Sequence, residues 1–126
     1  MGGVQEPKQM HEQFAKYFSS KDSDGILTLY EDDAVLLAAP GAPVSGKAAI
    51  KESLEGFFAM NGTMEFVGEA DPLVSGDLAL SHGKWRLTLP DGQVMEASTA
   101  EVMRRGSDGM WRYVLDNPWG TSILDG

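Results

Sequence analysis

The spacing of apolar residues changes near residue 62, and this change constrains the fold more than any other feature of the chain. Before it, apolar side chains recur at intervals of three and four residues, as they do on one face of an α-helix. After it, apolar and polar residues alternate with a period of two, which is typical of strands with one buried face. The chain is therefore predicted to be an α+β domain, with helices first and an antiparallel sheet second.

Three helices are predicted in the first half. Residues 8–20 form the first, and its apolar face carries Met10, Phe14, Tyr17 and Phe18. A short second helix starts from a cap at Asp22 or Ser23 and runs to Tyr30. The third covers residues 47–60, before Asn61 and Gly62, and an early strand at residues 33–39 precedes it.

Four strands are predicted in the second half, at residues 64–67, 77–89, 94–104 and 110–117. The turn Pro90-Asp91-Gly92 separates the two longest. In residues 77–89 the odd positions are small or apolar, so they are expected to face the core. A length of 126 residues is close to the commonest size of one domain, and residues 1–126 are expected to form a single unit.

Composition argues against several classes of function. The chain has no cysteine, so disulfides and thiolate metal sites are excluded, and the two histidines form no recognisable metal-binding pattern. A net charge of −9 argues against binding to nucleic acid. No apolar stretch is long enough for a membrane span, and residues 1–11 lack the apolar region of a signal peptide. We therefore expect a cytoplasmic protein without metal, cofactor, nucleic-acid or membrane partners.

Four segments together resemble a known superfamily. They are DSDGI at residues 22–26, YEDDAV at 30–35, SGKAAI at 45–50 and DGMWRYVLD at 108–116. Their order and spacing resemble nuclear transport factor 2-like proteins, in particular the SnoaL-like and ketosteroid-isomerase-like branch, over about residues 8–120. The resemblance implies three N-terminal helices packed on a strongly curved, mainly antiparallel sheet of cystatin-like topology. This cone would enclose a pocket, and many members dimerise through the outer face of the sheet.

The resemblance does not settle an activity, because this fold supports many. Ketosteroid isomerases need a carboxylate base and an oxyanion hole made of a tyrosine and a protonated aspartic acid. Alignment with them places Phe14 at the tyrosine, Ala38 at the base and Ala100 at the aspartic acid, although a shift of one residue would place Glu101 there. Losing one oxyanion donor costs ~2.7–4 kcal/mol of barrier, so ketosteroid isomerase activity is not expected.

The same alignment predicts a mainly apolar pocket for a small hydrophobic molecule. If Ala38 and Ala100 face inward, every second residue along their strands also faces inward. The family match selects the inward residues of the last strand. The predicted ligand-binding residues are Phe14, Tyr17, Ala38, Phe58, Trp85, Ser98, Ala100, Tyr113, Asn117 and Trp119. Outward positions are expected to form a homodimer surface that includes Thr99, Glu101, Met103 and Val114.

Three functions remain open on the sequence alone. The first is a small-molecule-binding pocket protein without catalysis. The second is an enzyme of the cyclase, isomerase or dehydratase type acting on a small hydrophobic carbonyl compound, with Glu101, Tyr113 or His82 replacing the lost carboxylates. The third is a non-catalytic dimeric interaction module. An inward carboxylate or histidine beside an apolar cavity would favour the second, and a filled cavity would favour the third.

Overall fold

The predicted helices form in the predicted order in a computed structural model that describes residues 2–125. Met1 and Gly126, the outer bounds of the expected domain, lie outside the described residues. The helices are α1 (Met10–Ser19), α2 (Ser23–Leu27) and α3 (Lys47–Phe58), and short 3₁₀ turns lie at Pro7–Gln9 and Gly120–Leu124. The carboxylate of Asp22 caps α2 by accepting a hydrogen bond of 2.9 Å from the amide of Gly25.

The strands form one six-stranded and one three-stranded sheet across residues 2–125. They are β1 (Tyr30–Ala39), β2 (Ala42–Ser45), β3 (Thr63–Glu69), β4 (Leu73–Ser75), β5 (Leu78–Ser81), β6 (Gly83–Thr88), β7 (Val94–Ser98), β8 (Ala100–Arg105) and β9 (Trp111–Asn117). The larger sheet has the order β2-β1-β9-β8-β5-β4, and the smaller has the order β3-β6-β7. Only β1 and β9 pair in parallel among these strands. The expected α+β architecture, three helices on a strongly curved and mainly antiparallel sheet, is confirmed, and the sheet does not close.

The two longest predicted strands each divide into two. Residues 77–89 break at His82 and residues 94–104 break at Thr99, where the hairpin passes from one sheet to the other. At this corner the amide of Gly83 donates to Oγ1 of Thr99 at 2.8 Å. The amide of Thr99 donates to the carbonyl of Gly83 at 2.6 Å. The bend wraps the sheet around the helices. The sequence analysis did not anticipate β2 or β4.

The concave side of the curved sheet holds the core. Helix α1 packs against β3, and α3 packs against β1. The largest fully buried side chains come from every layer: Tyr30, Tyr113, Met10, Ile26, Leu29, Ile50, Leu87 and Met103. The odd positions of β5 and β6 face this core, as their alternation predicts. No helix within residues 2–125 has both the length and the apolar character needed to cross a membrane.

The inward face of β8 is the opposite of the predicted one. Thr99, Glu101 and Met103 are buried, whereas Ser98 is exposed and Ala100 is half-buried. The reason is the register of the hairpin, in which a three-residue loop at 90–92 pairs Leu89 with Gln93 and so sets Trp85 opposite Ala97. Directly opposed residues share a face, so odd positions stay inward from β6 through β8. The proposed dimer surface through Thr99, Glu101 and Met103 is therefore wrong.

A β-bulge changes the face of β9. Val102 pairs with Leu115 while Met103 pairs with Tyr113, so Val114 is the extra residue. Tyr113 is buried as predicted, but Leu115 points outward and is 49% exposed. Asp116 takes the inward position instead and is 6% exposed. The bulge thus brings a carboxyl to the core side of the last strand.

Candidate functional site

A cavity of about 70 Å³ lies between the helices and the concave face of the sheet. Its walls are mostly aromatic and aliphatic, from Phe14, Phe18, Leu36, Leu54, Phe57, Met64, Phe66, Trp85, Leu87 and Pro118. Its polar groups come from the strands: Tyr30, Thr99, Glu101, Tyr113 and Asp116. A mainly apolar cavity with a few converging polar groups is the usual form of a small-molecule site.

Two carboxyl groups and two tyrosines form the polar side of the cavity. Glu101 on β8 and Asp116 on β9 are directly opposed in the ladder, and both face inward. The hydroxyl of Tyr30 donates to Oδ2 of Asp116 at 2.5 Å. The hydroxyl of Tyr113 donates to Oε2 of Glu101 at 3.1 Å. Each tyrosine therefore orients one carboxyl.

Burial controls the protonation of this group. Burial and the negative charge of Glu101 raise the pKa of Asp116, while the hydrogen bond from Tyr30 and the charge of His11 lower it, and the net result is a pKa of about 7. Burial also raises the pKa of Tyr30 and of Tyr113 well above the usual value, with the neighbouring carboxylates contributing. At neutral pH both tyrosines are hydroxyl donors, and Asp116 is close to its titration midpoint.

A buried histidine lies behind Glu101. Nε2 of His11 is 2.7 Å from Oε1 of Glu101, and Nδ1 is 2.8 Å from Oε2 of Glu69. The hydroxyl of Ser81 also donates to Oε1 of Glu101, at 2.7 Å. Burial lowers the pKa of His11, but the hydrogen bonds and charges of both glutamates outweigh it and raise the pKa to about 9. His11 is therefore an imidazolium at neutral pH.

Comparison with known proteins identifies the family. The family model described as the SnoaL-like domain matches residues 11–114. The chain belongs to the SnoaL-like domain family. No curated protein matches its sequence.

Solved structures agree with this assignment. A nuclear transport factor 2-like protein of unknown function from Pseudomonas putida is 28% identical, with a TM-score of 0.72 over 87% of this chain and 80% of that chain. A nuclear transport factor 2-like protein of unknown function from Shewanella oneidensis is 15% identical, with a TM-score of 0.75 over 87% of this chain and 93% of that chain. The expected superfamily is confirmed.

Three of the predicted site residues line the cavity of this SnoaL-like domain: Phe14, Trp85 and Tyr113. Phe14 offers no hydrogen-bond donor, as the alignment with ketosteroid isomerases anticipates. The alignment of Ala100 with the aspartic acid of those enzymes is wrong, because Glu101 is the residue that faces inward there. A shift of one residue, the alternative left open by the sequence, gives the observed arrangement.

The other predicted site residues lie elsewhere. Ser98 is exposed, Ala38 and Ala100 are half-buried, and none of them lines the cavity. Tyr17 and Phe58 pack in or against the core, Phe58 with its ring centroid 5.0 Å from that of Phe18. These five positions are not part of the site.

The segment after β9 fastens the chain beside the cavity. The side chain of Asn117 accepts hydrogen bonds from the amides of Trp119 and Gly120, so it caps a turn. The indole of Trp119 donates to the carbonyl of Leu37 at 2.9 Å and packs edge-on against Trp85. Trp85 donates in turn to the carbonyl of Pro118 at 2.7 Å. Asn117 and Trp119 therefore support the cavity wall without lining it.

The predicted site residues do not include three central residues, His11, Tyr30 and Asp116. The spacing of His11, Phe14 and Phe18 follows a helical face, so this pattern could have identified His11 as an inward residue. His82, the histidine that the sequence offered as a catalytic candidate, is exposed at the corner between β5 and β6. Within residues 2–125, no set of three or more potential ligand side chains is grouped to hold a metal ion.

Proposed function

We propose that this SnoaL-like domain binds a small, uncharged, mainly apolar carbonyl compound and that Asp116 exchanges a proton with it. One observation carries the proposal: an inward carboxyl with its pKa raised to about 7 lines a mainly apolar cavity. Tyr30 holds Oδ2 of this carboxyl, and Oδ1 makes no hydrogen bond with the described residues 2–125. A ligand in the cavity would therefore meet Oδ1.

The charges around the cavity favour an uncharged ligand. Glu101 and Asp116 both face it, and the positive charge of His11 is already shared between Glu101 and Glu69. An anionic ligand would be repelled in this low-dielectric setting and would meet no free cation there among the described residues. A ketone or aldehyde needs only one donor, which protonated Asp116 supplies.

The protonation state of Asp116 suits acid–base catalysis. A general acid or base works best when its pKa lies near the working pH, and such a group contributes roughly 10²–10⁴-fold to rate. Ionised Asp116 can accept a proton from the carbon next to the carbonyl, which leaves an enolate, and the resulting carboxylic acid can return a proton to that carbon or to the oxygen. Isomerases, cyclases and dehydratases that act on carbonyl compounds all use one of these steps. These inward carboxyls favour the enzyme reading over binding alone.

The size of the cavity limits the ligand. Its volume of about 70 Å³ is roughly half of the ~150 Å³ in which an apolar protein cavity holds benzene. A ligand with as many non-hydrogen atoms as benzene, such as cyclopentanone, therefore enters only if the half-buried side chains of Phe14 and Phe57 move. Because the cavity is open rather than filled, a pure interaction module is the least supported of the three functions.

Exchange of α-protons in a small ketone tests the proposal. Cyclopentanone in heavy water is followed by ¹H NMR, with wild-type protein, Asp116→Asn and Asp33→Asn, whose aspartate is exposed on β1. We expect wild-type and Asp33→Asn protein to accelerate exchange over buffer and Asp116→Asn to lose ~100-fold or more of that acceleration. Equal rates for wild-type protein and Asp116→Asn would contradict the proposal. Binding of cyclopentanone without exchange would leave the non-catalytic pocket as the function.

A further inference from the structure

The proposed function leaves one ion-pair cluster without a role, and it consists of the buried residues His11 and Glu101 and the more exposed Glu69. We propose that His11, which does not line the cavity, is a positioning residue that holds Glu101 as a carboxylate and so leaves Asp116 as the cavity carboxyl that carries the proton. This inference rests on the proposed function and identifies His11 as the residue that determines the protonation of Asp116.

The hydrogen bonds of His11 define its charge. Each ring nitrogen faces a carboxylate oxygen, at 2.7 Å for Glu101 and 2.8 Å for Glu69. The hydrogen bonds and charges of these two glutamates raise the pKa of His11 to about 9, so at neutral pH the ring is an imidazolium that donates from both nitrogens. Its side chain is 5% exposed, whereas that of Glu69 is 50% exposed, so the cluster runs from solvent to the cavity.

The fold makes room for this ring. The ring of Phe66 stacks on it with the centroids 4.5 Å apart. Position 83, on the strand that pairs with β3, is a glycine. A Cβ added at Gly83 would lie 2.7 Å from Cε1 of His11. Gly83 is also the first residue of β6, at the corner between the two sheets. The corner that bends the sheet therefore also leaves space for the histidine.

The two cavity carboxyls have unequal support. Glu101 accepts hydrogen bonds from His11, Ser81 and Tyr113. Asp116 accepts one, from Tyr30, and the other groups around it are Glu101, Tyr113 and the more distant His11. Two opposed buried carboxyls do not both ionise readily, and the one with more donors and a cation keeps its charge. The proton therefore resides on Asp116, whose pKa is raised by burial and by the charge of Glu101.

The test follows the carboxyl of Asp116 directly. Protein labelled with ¹³C in its Asp and Glu carboxyl groups is titrated by NMR between pH 4 and 10, with no ligand present. In the wild type we expect Asp116 to titrate near pH 7. In His11→Gln we expect its midpoint to fall by about one pH unit or more, because Glu101 without its cation shares the proton and repels the carboxylate of Asp116 less. Glu69→Gln should lower the midpoint of Asp116 by less.

A matched control is Glu65→Gln, because Glu65 is an exposed residue of the same strand β3, 3.7 Å from Arg86. It should leave the midpoint of Asp116 unchanged. If His11→Gln does not fold, two other measurements replace it. The first is the ¹⁵N spectrum of the wild-type imidazole, and the second is the same titration of the Gly83→Ala variant, which displaces the ring. A neutral His11 at pH 7, or a midpoint of Asp116 that does not fall in a folded His11→Gln or Gly83→Ala variant, would overturn the inference. Because no ligand is used, such a result leaves ketone exchange by Asp116 to be judged separately.

Discussion

The buried imidazolium of His11 should make the stability of the protein depend on pH above neutrality. His11 is 4% exposed, and its pKa is raised from 6.5 to about 9 in the folded state. Because the folded state binds this proton more tightly than the unfolded chain does, the stabilisation is complete below pH 6.5 and is lost as the pH rises through 9. At ~1.36 kcal/mol per pKa unit, the raised pKa corresponds to ~3 kcal/mol.

Urea unfolding of wild-type protein and His11→Gln at several pH values between 7 and 9.5 measures this effect. We expect the free energy of unfolding of the wild type to fall by ~2–3 kcal/mol more than that of His11→Gln over this range. Half of the titration of Asp116, whose pKa is about 7, lies within this window, and it contributes less than ~1 kcal/mol to the fall. Exposed His82 supplies the control, since His82→Gln should behave as the wild type does. Parallel curves for wild type and His11→Gln would refute the assigned charge of His11.

Two further outcomes follow from the cavity and the sheet. A β,γ-unsaturated ketosteroid should not be converted to its conjugated isomer. The cavity of about 70 Å³ is well below the ~300–1,000 Å³ of sites for drug-sized ligands. Turnover above the buffer rate that Asp116→Asn abolishes would contradict this expectation. The protein should be a homodimer in light scattering, pairing through the apolar row Leu73, Leu80, Val102 and Leu115 on the outer face. Leu80→Glu should yield a monomer of 13.6 kDa while Leu124→Glu, at the exposed C-terminal turn, should not; a monomeric wild type would exclude the dimer.

The order of helices and strands could be predicted because the two hydrophobic periods are strong local signals. The breaks at His82 and Thr99 could not, because the inward positions remain odd-numbered through the corner and the alternation shows no interruption. What bends the chain there is the pair of hydrogen bonds between Gly83 and Thr99, which join residues distant in sequence.

The site was harder to predict than the fold for two different reasons. The inward face of β8 was predictable, since the three-residue loop at 90–92 and the inward Trp85 together place Glu101 on the cavity side. The alignment of Ala100 with the aspartic acid of ketosteroid isomerases predicted the opposite face of β8. The inward position of Asp116 depends on the bulge at Val114, and no glycine or proline marks it in the sequence. Bulges of this kind are fixed by pairing with neighbouring strands, which a single sequence does not reveal.

The most direct test of the central claim is a crystal structure of the protein with cyclopentanone. We expect the ring among Phe14, Phe66 and Trp85, with the ketone oxygen ~2.5–3.0 Å from Oδ1 of Asp116. The hydrogen bond from Tyr30 to Oδ2 should remain. A ketone oxygen bonded to a different residue would contradict the role assigned to Asp116. So would an empty cavity in crystals of protein that accelerates the exchange of cyclopentanone in solution.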